Sequence, residues 1–139
     1  MREILFKAKQ VDNGEWVEGY YAECRGKTFI GIDTSSIFEF FCAPGIRWLE
    51  VDPETLCEFT GRCDKNGKRI WENDILMAHL DESYPEDTTY ETVEWGVAGW
   101  VTHEANSVDR QYLDEFDLEH YEVVDNIFDN KELLQEEHK

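Results

Sequence analysis

Short runs of branched and aromatic residues, interrupted by Asn, Gly, Asp and Pro, set the rhythm of this chain, and they predict strands more often than helices. "ILFKAK" and "WVEGYYAEC" flank "VDNG", which reads as strand, turn, strand with Asn13-Gly14 at a tight hairpin. In the second strand Val17, Gly19, Tyr21 and Glu23 share one face, and Trp16, Glu18, Tyr20, Ala22 and Cys24 the other. Neither face alternates cleanly, so a strand partly covered on both sides is expected. "KTFIGID" and "SSIFEFFCA" predict two more strands.

At "EVDPETLCEF" the character changes. Asp52 is a natural N-cap and Pro53 a natural first helical residue, which predicts one or two helical turns through about Cys57. "KRIW" and "DILMAHL" predict short strands, and "ESYPEDTTYE", polar and holding Pro85, an exposed loop. "TVEWGVAGWVTH" predicts strand again, with Gly96 and Gly99 at a turn or bulge. A short, poorly patterned helix is expected over Ser107–Asp117. "YEVVDNIF" predicts a last strand and "NKELLQEEHK" a terminal helix capped by Asn130. The expectation is one domain over 1–139 with an acidic C-terminal region, 104–139. Its class is mainly β: a coiled antiparallel sheet or small barrel with one or two short helices.

Charge sharpens this picture. The 139 residues carry 32 acids and 13 bases, for a formal net charge of −19. Residues 1–80 hold 14 acids and 10 bases, whereas residues 81–139 hold 18 acids and only 3 bases. The acidic character therefore sits in the back section. Binding a polyanionic backbone requires Lys or Arg to displace counterions, so direct nucleic-acid binding is not expected. Solubility, a basic partner and mimicry of nucleic acid all fit the charge.

The cysteines, Cys24, Cys42, Cys57 and Cys63, form no CxxC pair and have no His at zinc spacing. The opening "MREILFKAKQ" lacks the apolar stretch of a signal peptide, and no run approaches a membrane span. Free, mostly buried thiols in a cytoplasmic protein are expected.

The densest stretch is "DKNGKRIWENDIL", residues 64–76. Asn66-Gly67 suits a type I′ hairpin, Asp64 can accept bonds from amides two residues on, and Asn73 is the non-glycine residue best suited to positive φ. Two consecutive chain reversals are predicted, with Asn66, Gly67 and Asn73 left-handed. The longer "TGRCDKNGKRIWENDIL" resembles the signature of the YopX-like family of bacteriophage and prophage proteins, approximately G-x-x-D-x-N-G-x-x-I-aromatic-E-G-D-I. It matches at Gly61, Asp64, Asn66, Gly67, Ile70, Trp71, Glu72, Asp74 and Ile75. "REILFKAK", "VDPETL" and "EVVDNIFDNKELL" extend the likeness over nearly the whole chain. Asn73 and Asp125 stand where the family usually has Gly, and Lys131 where it often has Pro. The resemblance implies a phage or prophage origin and no established activity.

Chemistry is sparsely advertised. Asp64, Glu72 and Asp74 suggest a carboxylate cluster, but a calcium loop starting at Asp64 would place Lys68 and Ile75 at ligand positions. His79, His103, His120 and His138 are scattered, and no serine sits in a nucleophile elbow. No enzyme activity, cofactor or metal is expected. Trp16, Tyr20, Tyr21, Trp48, Trp71, Trp95 and Trp100 are expected as sheet core; stacking single-stranded bases would need a basic groove, and only Arg62, Lys65, Lys68 and Arg69 cluster. Glu115, Asp117, Glu119 and Glu122 form the candidate partner surface. The expected role is a non-enzymatic protein-interaction module, whose partner is an unidentified and potentially basic protein. The alternatives are an acidic nucleic-acid mimic that occupies a host DNA-binding protein, or a single-strand-binding barrel. A homo-oligomer is compatible with the sequence, and a membrane is not an expected partner.

Overall fold

The computed structural model of the chain describes residues 4–33, 45–79, 88–104, 107–113 and 119–135. The chain divides into two compact units, Met1–Phe59 and Thr60–Lys139. In the first, β1 (Phe6–Lys9), β2 (Trp16–Cys24), β3 (Lys27–Asp33), β4 (Ile46–Val51) and the start of β5 (Cys57–Cys63) lie in the order β4-β3-β2-β1-β5. All neighbours are antiparallel. Strand alternation turns Ala8, Ile30 and Val51 into a common core, against which Phe6, Val17 and Leu56 pack.

β2 changes partner midway. Its residues up to Gly19 pair with β1, and those from Tyr20 onward pair with β3. A Cβ at Gly19 would overlap the Gly31 carbonyl oxygen, so only a residue without a side chain lets the sheet coil at this point.

The turns depart from expectation in an instructive way. Asn13-Gly14 is not a two-residue hairpin turn: Gln10 N–H donates to Glu15 O at 2.9 Å, and Gly14 N–H to Gln10 O at 2.9 Å. The loop is wider because the Asn13 side chain accepts from Glu15 N–H at 2.9 Å, which holds Asn13 outside the left-handed region. The two-residue turn is instead Arg25-Gly26, with φ of 55° and 77°, between the paired Cys24 and Lys27.

The helix expected after Asp52 is a single 3-10 turn, Pro53–Thr55. Asp52 does cap it, accepting from Glu54 N–H at 3.0 Å. It stops because Leu56 is already extended and Cys57 begins β5. The buried Thr55 hydroxyl donates to Asp52 O at 2.7 Å and accepts from Lys9 N–H at 2.9 Å, which binds the turn to β1. The strand expected over 35–43 lies outside the described residues.

In the second unit the rest of β5 adjoins β6 (Arg69–Trp71), where the Thr60 hydroxyl donates to Ile70 O at 2.7 Å. The remaining strands are β7 (Asp74–His79), β8 (Thr88–Trp95), β9 (Trp100–Glu104), β10 (Gln111–Tyr112) and β11 (Tyr121–Asn126). They form one antiparallel sheet, β10-β9-β8-β7-β11. Its core is Ile70, Leu76, Ala78, Val93, Leu113, Tyr121 and Val123, with Trp100 alongside. A four-residue helix, α1 (Glu132–Gln135), follows, and Leu133 N–H donates to Asn130 O at 3.2 Å. Among the described residues neither sheet closes into a barrel, so the mainly β class stands in its open-sheet form.

Three expectations for this unit need correction. Thr88–Glu91 belong to β8 and not to a loop, because "TTYETVEW" is continuous with its β-branched run. The helix expected from Ser107 is absent over Ser107–Leu113. Gln111 and Tyr112 pair with Thr102 and Val101, and Leu113 enters the core, while Val108 is fully exposed and supplies no apolar stripe. The last strand ends at Asn126, two residues early, for a reason given below. Among the described residues no helix is long and apolar enough to cross a membrane.

Cys24, Cys57 and Cys63 are free, as expected, but Cys24 and Cys63 are exposed and only Cys57 is buried; Cys42 lies outside the described residues. In a Cys42→Ser background, two thiols should therefore react promptly with an aromatic disulfide reagent under native conditions and the third only on unfolding. Three prompt thiols would contradict the burial of Cys57.

Candidate functional site

Residues 64–76 form a clasp. Asp64 is 7% exposed, and its carboxylate is saturated with backbone donors. Oδ1 accepts from Asn66 N–H at 2.9 Å and Lys68 N–H at 2.8 Å; Oδ2 accepts from Val123 N–H at 2.9 Å. Lys65 N–H donates to Tyr121 O at 3.1 Å. Tyr121 and Val123 lie two apart on β11, so this loop covers the outward-facing groups of a sheet edge that would otherwise be open.

Both reversals are present, with one correction. Gly67 is left-handed at φ 81°, but Asn66 is not. Gly67 N–H donates to Asp64 O at 3.0 Å and Asp64 N–H to Lys68 O at 2.8 Å, which is a three-residue loop closed by a left-handed glycine and not a type I′ turn. The Asp64 carboxylate holds Asn66 in this form by capturing its amide. Asn73, in the second reversal, is left-handed at φ 70°. Its N–H donates to Val93 O at 2.8 Å and its carbonyl accepts from Ile127 N–H at 3.0 Å, which sews the turn to β8 and to the segment after β11. Asp74, 2% exposed, accepts from Trp71 N–H at 2.8 Å. Ile70 and Trp71 are buried, Glu72 is half-buried, and Gly61 is left-handed at φ 85°.

Asp64 and Asp74 thus hold amides. Among the described residues no three His, Cys, Asp or Glu side chains converge as metal ligands would. Asn73→Gly should change the unfolding free energy by less than about 1 kcal/mol, whereas Asn73→Val should cost about 2 kcal/mol, because a β-branched residue resists positive φ. Equal effects would contradict the left-handed assignment.

Of the candidate partner surface, Glu115 and Asp117 lie outside the described residues. Glu119 is exposed in a turn, while Glu122 lies on β11 with Lys65 at 4.0 Å. The acids are thus not one uniformly unpaired array.

Two features were missed in the sequence. The first is an aromatic face in the first unit. Tyr20, Gly31 and Trp48 stand in one row across β2, β3 and β4, with Ile46 two residues before Trp48. Tyr20, Ile46 and Trp48 remain 50%, 48% and 47% exposed, contrary for Tyr20 and Trp48 to the expectation of core. A Cβ at Gly31 would lie 2.8 Å from the Trp48 ring and 2.6 Å from Ile46 Cγ2, so both side chains rest on bare backbone. Tyr21 points the other way, its ring 5.2 Å from Phe6. The Glu23 carboxylate, accepting its hydroxyl proton, raises the Tyr21 phenol above its ordinary range, with desolvation and charge repulsion adding to the effect. Trp95 is also exposed, whereas Trp71 is core as expected.

The second is a cleft of about 590 Å³ in the second unit, lined by Asn73, Thr92, Val93, Glu94, His103, Ile127, Phe128, Lys131 and Leu134. Cross-strand register explains its polar wall, since Thr92 is directly opposite His103. His103 Nδ1 faces Glu104 O at 3.1 Å, and a carbonyl only accepts, so Nδ1 carries the proton. In the neutral ring Nε2 then accepts from the Thr92 hydroxyl at 2.9 Å, with Glu94 Oε2 at 3.5 Å. Glu94 Oε1 accepts from Arg110 Nε.

The opposite wall follows from Asn126. Its Oδ1 accepts from Phe128 N–H at 2.9 Å and Asp129 N–H at 3.0 Å, which ends β11 early and presents Ile127 and Phe128 to the cleft. Thr92 is 11 positions from His103 and 36 from Phe128, beyond the reach of spacing rules.

A family model described as "YopX protein" matches residues 5–135. No curated protein matches the chain. Among solved structures, the crystal structure of protein EF1440 from Enterococcus faecalis is similar at 19% identity and a TM-score of 0.61. The match covers 96% of this chain and 99% of that one. That likeness concerns the fold alone. The match to the family model spans nearly the whole chain and includes the clasp that organises the second unit, and by it the chain belongs to the YopX family.

Proposed function

We propose that this protein is a non-enzymatic protein-interaction module of phage or prophage origin, acting in the cytoplasm. Its contact surface is the face carrying Tyr20, Ile46 and Trp48. The observation that carries this reading is the half exposure of three large side chains around Gly31, with Ile46 and Trp48 seated on it and Tyr20 beside it, on the opposite side of the sheet from the core residues Ile30 and Val51. Aromatics fixed in place lose little entropy on binding and are favoured interface anchors. The net charge of −19 makes a basic protein the partner that encounters this chain fastest.

The test is affinity capture from host lysate with the wild-type chain and a Tyr20→Ala/Trp48→Ala variant. A basic protein retained by the first and lost from the second supports the proposal; equal retention by both refutes it. The acidic-mimic alternative predicts the opposite pattern, with capture surviving the aromatic substitutions and failing when Glu119 and Glu122 are replaced by Gln. The chain itself should show no salt-sensitive binding to single-stranded DNA. Binding that weakens steeply with salt would instead favour the single-strand-binding reading.

A further inference from the structure

We propose that the cleft bounded by Thr92, His103, Phe128 and Lys131 is a binding site for a small amphipathic carboxylate, a ligand with one anionic head and a short apolar body. The inference is independent of the protein-contact reading, which rests on other residues.

Size and lining come first. A volume of about 590 Å³ lies inside the range of small-molecule sites, and such sites combine an apolar lining with a few convergent polar groups. Here Val93, Ile127, Phe128 and Leu134 supply the apolar surface. Thr92, Glu94, His103 and Lys131 supply the polar groups.

Charge decides the sign of the head group. Residues 81–139 contain only 3 bases, Arg110, Lys131 and Lys139. Lys131 lines the cleft, and Arg110 engages Glu94, the one acid among the described residues of the lining. The carboxylate that would repel an anion is therefore neutralised by a neighbour, while Lys131 has no ion pair among the described residues. In a section otherwise dominated by acids, two of the three bases thus act on one cleft. An exposed ammonium placed only for solubility would not need that position.

Hydrogen bonding accounts for the rest. With His103 Nδ1 donating to Glu104 O, the Thr92 hydroxyl gives its proton to Nε2 and keeps lone pairs free. Turning that single proton to an incoming carboxylate would break the bond to Nε2, so the donor in the cleft with no partner among the described residues is Lys131. Lys131 supplies the charge. The apolar body then lies along Ile127, Phe128 and Leu134. A cationic ligand would meet Lys131 unopposed and find Glu94 already occupied by Arg110.

The test uses the full chain and three probes of equal chain length: octanoate, octylamine and octanol, each below its micellar range. Amide and His103 imidazole chemical shifts are followed by NMR during titration. Octanoate should produce saturable shifts centred on Thr92, Val93, His103, Ile127 and Phe128. Octanol should bind at least about tenfold more weakly, and octylamine should not saturate. Lys131 is exposed on a turn, so Lys131→Gln should leave the spectrum folded while weakening octanoate about tenfold. Absence of saturable octanoate shifts overturns the proposal. So does octylamine binding as tightly as octanoate, or octanoate affinity unchanged by Lys131→Gln.

Discussion

Asp64→Ala should lower the unfolding free energy by about 3 kcal/mol, read as a fall in the denaturation midpoint at constant slope. Three amides lose a charged acceptor in this variant. Those of Asn66 and Lys68 are at a surface loop and recover water, which limits their cost. The Val123 bond is buried, and an unsatisfied buried amide costs about 1–3 kcal/mol on its own. Asp64→Asn separates the contributions. Its remaining carbonyl oxygen can still serve Asn66 and Lys68, while its amide nitrogen cannot accept from Val123. It should show about half the loss. A change below about 0.5 kcal/mol for the alanine variant would mean that the clasp contributes nothing to stability.

Gly19→Val should be at least as damaging. The new side chain would be driven against the Gly31 carbonyl, a backbone group that cannot rotate away as a side chain can. Overpacking against flexible side chains costs about 1–3 kcal/mol, and a clash with the backbone of a paired strand belongs at the top of that range or above it. Gly19→Ala meets the same oxygen with its Cβ and should already lose about 2 kcal/mol or more. The measurement is a denaturant titration of both variants. If either matched the wild type, the coiling of β2 at Gly19 would have to be abandoned.

What was legible in the sequence follows from the reach of the forces involved. β2, β3, β6 and β7 are read from branched and aromatic composition and flanking turn residues, because strand propensity and turn chemistry act over a few positions. Asn73 could be assigned its conformation for the same reason: a left-handed position narrows the choice to Gly or Asn. Asn66 failed because its conformation is set by a carboxylate two residues away that captures its amide, and propensity alone favoured the Asn-Gly turn. Arg25 failed in reverse, since a left-handed arginine is disfavoured locally and is held there by the pairing of Cys24 with Lys27 on either side. The exposure of Tyr20 and Trp48 could not be read at all. Aromatic residues in strands are core by default, and these two flank the bare Gly31 in one cross-strand row on the face away from Ile30 and Val51. The cleft joins Thr92 to His103 by register and Phe128 to both by the turn at Asn126, and register is not a local property.

The match to the YopX family model and the clasp geometry meet in one claim: residues 64–76 fasten the edge of β11. Amide hydrogen exchange at Val123 tests this most directly. With Asp64 intact, the Val123 amide should exchange as slowly as the protected amides of β7 and β8, despite facing away from the sheet; in Asp64→Asn it should lose that protection while β7 and β8 keep theirs. Rapid exchange at Val123 in the wild-type chain, at the rate of an open sheet edge, would contradict the account.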